Sequence, residues 1–311
     1  MNATMAKFVE MEQAHGSLII AGEKKNSNSD DRKASGARYG LFRSPEFGMG
    51  QLVDWIVEAL DRVEVRTNCS VTEINKDAAG WSLKFQGRVS VGTSSVAGVV
   101  KTSGNNQPAT DPETIQADGV VIATSAKVAG NILNPIDSTL ADRLKQIKAA
   151  SSAIVILAVD ASQIERQFDG YGIIVPAILN RKVIATSFSS NKFAGRAPDG
   201  KILIRTFIGG ALQSELVELS DEELVAIATD ELKKTVGFEG EPEFSSVHRW
   251  RNCMPQYHLG HLELLEEIDA LIGKQFGIEI AGNSYRGVGV PACIQSGYEA
   301  IKRLVVDLTG R

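Results

Sequence analysis

The sequence predicts an α/β (α+β) chain in which a mainly antiparallel sheet lies between two α/β portions. Three observations carry this. A helix-spaced apolar stripe runs into a short strand at residues 50–66, with an apolar strand at 119–123 further on. Strand-like segments separated by turn residues fill residues 153–209, and a strand ending in glycine leads into a long helix opened by Pro291.

Taken in order, the polar run GEKKNSNSDDRKASGA (residues 22–37) has no apolar periodicity and reads as a linker after a short amino-terminal segment. Leu52, Trp55, Ile56, Ala59 and Leu60 fall at helical spacing, and residues 63–66 follow as a strand. Residues 70–74 and 81–85 are further strands, and the Ser-, Gly- and Asn-rich stretch 92–116 reads as a surface insertion. Helices are predicted at 126–133 and 140–147, then strands at 153–159, 172–176, 183–187 and 201–209. Ser220 and Glu223 form a capping box that opens an amphipathic helix to about Val236. In the last helix Ile294, Gly297, Tyr298, Ile301, Leu304, Val305 and Leu308 lie on one stripe.

The 311 residues suffice for two domains, and 43% hydrophobic with 23% charged residues is an ordinary globular composition. With 33 basic and 38 acidic residues the formal charge is −5, so nucleic acid is not an expected partner. Cys69, Cys253 and Cys293 are far apart and lack CxxC spacing, which fits free thiols. With neither a signal peptide nor a membrane-length apolar run, the expectation is a cytoplasmic protein, leaving peripheral membrane contact and homodimerisation open.

The most suggestive local feature is IAGNSYRGVGVPACI (residues 280–294), a strand, loop and helix. Gly287 and Gly289, just before a helix amino terminus, would let backbone approach a flavin ring or a phosphate, though an ordinary αβ connection reads the same way. No GxGxxG follows a strand. Cys253, His258 and His261 match no usual zinc spacing and are read as chance neighbours; no metal is expected. There is no GxSxG and no Ser–His–Asp arrangement, so hydrolysis has no support. Trp250 could stack on a planar cofactor or simply pack. Arg205, on an alternating strand, could pair with a substrate carboxylate or lie on a solvated face.

Six segments in order resemble the protoporphyrinogen oxidase family: FGMGQL (47–52), ADGVVIAT (117–124), KFAGRAP (192–198), FIGG (207–210), WRNCMPQYHLGH (250–261) and AGNSYRGVGVPACI (281–294). The resemblance implies an FAD-binding domain of the flavoprotein amine oxidase type, assembled from residues 39–130 and 245–311, with residues 131–244 as the substrate-binding domain and 1–38 as a leading segment. It also implies that Val71 holds the adenine end through its backbone. Trp250, Asn283, Val288, Gly289 and Val290 would contact the flavin side, and Ile174 and Phe193 would line a tetrapyrrole pocket. No catalytic side chain is assigned, because the cofactor performs the redox step.

The implied reaction removes six electrons from protoporphyrinogen IX or coproporphyrinogen III in three two-electron steps, through FAD to molecular oxygen, in haem biosynthesis. Two departures stand out. The family's amino-terminal Rossmann strand, Gly-rich turn and helix, and a positioning Arg after them, are missing from this sequence, and Ala292 stands where the family usually has Asp. A second reading is therefore a non-catalytic fragment that needs a missing amino-terminal chain. Another flavin amine oxidase or a desaturase is the remaining alternative, disfavoured by the segments at 191–198 and 255–261.

Overall fold

The computed structural model describes residues 10, 13, 14, 16, 44–78, 80–91, 113–166 and 170–310. The predicted linker at 22–37 and most of the predicted insertion lie outside them. The chain divides into two compact units, one built from Pro45–Ile147 and Tyr257–Arg311, the other from Lys148–Gln256. The helices before Ile147 belong to the first unit, and residues 245–256 to the second.

In the first unit, helix α1 (Gly50–Glu58) precedes strands β1 (Arg66–Asp77), β2 (Gly80–Val91) and β3 (Glu113–Ala117), which form an antiparallel sheet in the order β1-β2-β3. The end of the predicted insertion is thus strand β3, paired with β2 from Trp81↔Ala117 to Phe85↔Glu113. Its residues are almost all exposed, so no apolar alternation marks it in the sequence. Gly80 has φ +132°, and a Cβ there would meet the Ala117 carbonyl oxygen at 2.7 Å. Only glycine lets β2 start this close to β3.

Strand β4 (Val120–Ile122) pairs in parallel with β10 (Ile278–Ile280), and around this pair come α2 (Ala126–Leu133), α3 (Ser138–Gln146), α6 (His261–Ile272) and α7 (Val290–Thr309). The short apolar run VVI suits a parallel pair covered on both faces, and in its partner IEI the buried Glu279 is held by a bond from α7. Trp81, Leu133, Leu140, Leu144, Leu265 and Ile268 centre this unit's core, each worth roughly 1.5–3 kcal/mol of apolar burial. The predicted stripe on α7 contributes only Leu304 to burial; Ile294, Tyr298, Ile301 and Val305 are exposed. The helix is instead tied to β10 by Arg303, whose Nε and Nη2 donate to Oε2 of the buried Glu279 at 3.0 and 2.8 Å.

The second unit is a five-stranded antiparallel sheet in the order β6-β7-β8-β5-β9. Its strands are β5 (Ala149–Asp160), β6 (Gly172–Ile174), β7 (Val183–Phe188), β8 (Lys201–Gly209) and β9 (Phe244–Pro255), with helices α4 (Ser189–Lys192) and α5 (Asp221–Val236). Along β5, Ala153, Val155, Leu157 and Val159 are wholly buried while their neighbours are half-buried, the period-two pattern of a sheet with one core face. The predicted capping box at Ser220 and Glu223 is present, and Leu224, Ala228 and Leu232 of α5 join the same core as this strand face.

Thr186 and Thr206 are cross-strand neighbours on that core face, and among the described residues neither hydroxyl has a hydrogen-bond partner. A buried hydroxyl without a partner costs on the order of 1–3 kcal/mol, while valine has the same shape. Thr206→Val is therefore expected to stabilise the chain by about 1 kcal/mol, read as a higher urea midpoint at unchanged slope. A lower midpoint would mean that this hydroxyl is satisfied by water.

Candidate functional site

The loop between β10 and α7 (residues 282–289) is fixed from several directions. The Gly282 N–H donates to Ser296 Oγ on α7 at 3.0 Å. The buried Ser284 Oγ accepts from the Ala126 N–H at the start of α2 at 3.1 Å. Tyr285 is buried in the unit's core, and burial pushes its phenol well above the usual range. Arg286 pairs with Asp269 of α6.

Two residues before and at the start of α6 complete the framework. Tyr257 Oη donates to the Asn283 carbonyl at 2.6 Å and accepts from the Gly287 N–H at 2.9 Å, so one hydroxyl joins both ends of the turn 283–287. His261 Nε2 lies 2.8 Å from the Tyr285 carbonyl, which requires a proton on Nε2. The two rings stack with centroids 4.1 Å apart and an interplanar angle of 9°. Burial raises the Tyr257 phenol pKa and the Gly287 N–H offsets part of that rise. The hydroxyl therefore stays protonated at neutral pH, and its contribution is lost only as pH climbs through the raised value.

The glycines of the loop divide into two kinds. Gly287 has φ +154°, and a Cβ there would meet the Ala292 Cβ at 2.6 Å, so packing within the loop requires glycine. Gly289 has φ −76° and ψ 152°, which any residue adopts, and a Cβ there would find nothing nearer than Pro291 Cδ at 3.8 Å. No described residue demands glycine at 289; an external group approaching the backbone would. Val288, Gly289 and Val290 are exposed around that space, and the first turn of the 20-residue helix α7 has no side-chain cap. Its N–H groups and dipole favour an electron-rich partner.

Of the residues expected to hold the cofactor, Asn283, Val288, Gly289 and Val290 thus come together on one loop. Val71 lies in the same unit on β1, an edge strand whose register shifts between Val71 and Glu73, an irregularity of the kind that leaves backbone groups unpaired. Trp250 belongs to the second unit, where it is half-exposed on β9 opposite Ser152 of β5. There β9 completes the five-stranded sheet as the neighbour of β5.

The face of that sheet opposite its core carries the other candidates. The pairing sets Ile174, Ala185, Phe207, Ile154 and His248 in one row, and Gly172, Ser187, Arg205, Ile156 and Ser246 in the next. Ile174 is 82% exposed. The exposed Arg205 guanidinium lies over the Phe207 ring at 5.3 Å, and among the described residues it has no ion-pair partner. Phe193 lies outside the strands at the end of α4, half-buried, with the Arg196 guanidinium 5.9 Å from its ring centroid. A shallow cleft of about 500 Å³ lined by Asp221, Glu222, Thr229, Asp230 and Lys233 of α5 belongs to neither surface.

Sequence reading missed Tyr257 and His261 in these roles. Gly260, with φ +84°, lies between them and brings the chain into α6 at His261.

The fold and this loop belong to a defined class: residues 1–304 match the flavin containing amine oxidoreductase model, and the chain is a member of that family, whose cofactor is FAD. Among curated proteins it is 28% identical to coproporphyrinogen III oxidase of Bacillus subtilis over 96% of this chain. It is 26% identical to the chloroplastic protoporphyrinogen oxidase of Oryza sativa subsp. japonica over 99% of this chain. A crystal structure from Exiguobacterium sp. 255-15, provisionally named a protoporphyrinogen oxidase, superposes with a TM-score of 0.72 at 24% identity over 97% of the chain, which establishes the shared fold. The chain spans 58% of the Bacillus protein and 57% of the rice protein.

Proposed function

We propose that this chain carries the flavin-side loop and the substrate sheet of an FAD-dependent oxidase. Its substrate would be protoporphyrinogen IX or coproporphyrinogen III, oxidised to the porphyrin with oxygen as acceptor in the cytoplasmic steps of haem biosynthesis. The observation that carries the substrate class is the sheet face of the second unit. Ile174, Phe207, Ile154 and Ile156 offer an apolar floor to a macrocycle, and Arg205, without an ion-pair partner among the described residues, offers a cation to a peripheral carboxylate. The names of the curated relatives support the same class.

FAD, when bound, supplies the two-electron oxidation. The residues of this chain position and shield. The Gly289 backbone with Val288 and Val290 presents an open, apolar-rimmed approach that fits a flat ring, and the uncapped start of α7 favours its electron-rich edge. On the sheet, apolar contact holds the macrocycle and excludes water from it, while the Arg205 charge fixes its orientation.

Coproporphyrin III, which cannot be oxidised further by this route, serves as a binding probe. Arg205→Met is expected to weaken it by about tenfold, the scale of one charge-assisted hydrogen bond, and to reduce the salt dependence of binding. Equal affinity and equal salt dependence in the two proteins would remove Arg205 from the substrate site. The reaction itself is tested by porphyrin fluorescence appearing from coproporphyrinogen III or protoporphyrinogen IX in air with added FAD. Absence of FAD-dependent porphyrin formation with either substrate would count against the chain acting alone as the oxidase.

A further inference from the structure

We propose that Tyr257 and His261 are positioning residues for the flavin, acting through the turn 283–287 without touching the cofactor. The inference rests on the reading that Asn283 and residues 288–290 face the flavin.

The geometry that assigns this role is the division of labour around one turn. Tyr257 Oη bonds the carbonyl of the turn's first residue and the N–H of its last, at 2.6 and 2.9 Å. His261 bonds the carbonyl of the middle residue, Tyr285, at 2.8 Å. Backbone groups of a five-residue turn cannot satisfy one another in a strand or helix ladder, so they need partners from elsewhere. Here those partners come from a stacked pair of rings on a separate stretch of chain, each ring limiting the other's rotation. His261 is 6% exposed and opens α6, whose Leu265 and Ile268 lie in the unit's core. The pair is therefore rigidly based and transmits that rigidity to Gly287, two residues before the open backbone at Gly289.

The consequence is specific. Replacing Tyr257 with Phe keeps the stacked ring and removes only the hydroxyl that joins Asn283 to Gly287. The fold should survive, while the loop gains freedom and a ligand held by its backbone loses pre-organisation. A residue that served only stability would change the thermal midpoint without altering the spectrum or affinity of the flavin.

The test compares wild type and Tyr257→Phe on the full chain by three readouts. Hydrogen exchange of the peptide containing residues 283–289 is expected to speed up about tenfold, the equivalent of one net hydrogen bond, with the other core peptides unchanged. FAD affinity, by flavin fluorescence titration, is expected to fall by about the same factor, and the visible absorption band of the bound flavin to shift. His261→Gln, which keeps a donor, is expected to show a smaller change of the same kind. Unchanged exchange in Tyr257→Phe would overturn the clamp. Faster exchange with unchanged affinity and spectrum would overturn its role toward the flavin. If wild type binds no FAD, the reading of the loop as a flavin site fails and the positioning role fails with it, while the exchange result still decides the clamp.

Discussion

Gly289→Val is expected to lower FAD affinity by about 10- to 100-fold, the cost of roughly 1–3 kcal/mol that overpacking imposes, and to leave the stability of the chain unchanged. The two halves of this expectation come from one position. At φ −76° and ψ 152° the Gly289 backbone suits valine, and the nearest atom to an added Cβ is 3.8 Å away. No described residue crowds the Cβ of that side chain, and the loss of backbone freedom in the unfolded state would favour the variant slightly. A group from outside that occupies the space beside Gly289 would meet the new methyls. Gly287→Ala is the control with the opposite character, because its Cβ would lie 2.6 Å from that of Ala292 before any ligand arrives. It should destabilise the loop by itself. Wild-type affinity in Gly289→Val would show that the flavin does not approach this backbone.

A second large effect is expected in the second unit, beside its five-stranded sheet. Glu231 lies on α5 with its side chain 5% exposed, and Arg181 Nη1 bonds its Oε1 at 2.8 Å. Removing Arg181 would strand a carboxylate in the interior, and breaking a buried pair from one side costs roughly 3–5 kcal/mol. The Arg181 side chain is itself 34% exposed, so water reaches its end of the pair and the lower value of about 3 kcal/mol is the expectation for Arg181→Met. The double variant Arg181→Met with Glu231→Leu should recover most of that loss, since an apolar pair of similar volume is often as stable as the ion pair it replaces. Urea unfolding of the single and double variants reads both. Equal midpoints for wild type and Arg181→Met would mean that Glu231 has another partner or is hydrated.

How far the sequence could be read depended on whether a feature is local. The capping box at Ser220 and Glu223 is written within four residues, and the structure has it. The alternation of β8 is likewise local, and that strand lies at Lys201–Gly209 where it is expected, while the apolar run 153–159 falls inside the longer β5. Strand β3 is different: four of its five residues are exposed, so its identity comes from pairing with β2 rather than from its own pattern. The same holds for the unit boundary. Trp250 lies seven residues before Tyr257, yet β9 pairs with β5 and places it in the second unit. Strand partnership decides this, and sequence distance carries no information about it.

The site shows the same division. Gly287 and Gly289 were visible as a pair, but their spacing could not say that one serves internal packing and the other leaves space. Arg205 could be placed on an alternating strand, whereas its company of Phe207, Ile154 and Ile174 needed the register of four strands. Tyr257 and His261 act on carbonyls some 24 to 26 residues away, and no periodicity or spacing announces such bonds.

Flavin retained by the purified chain after desalting, in wild type and in Gly289→Val, tests directly the proposal that the loop between β10 and α7 holds FAD. Flavin absorbance near one equivalent per chain is expected for wild type and a clear loss in the variant, with the same thermal midpoint for both apoproteins. No flavin on the wild-type chain, or equal flavin on both, would contradict it.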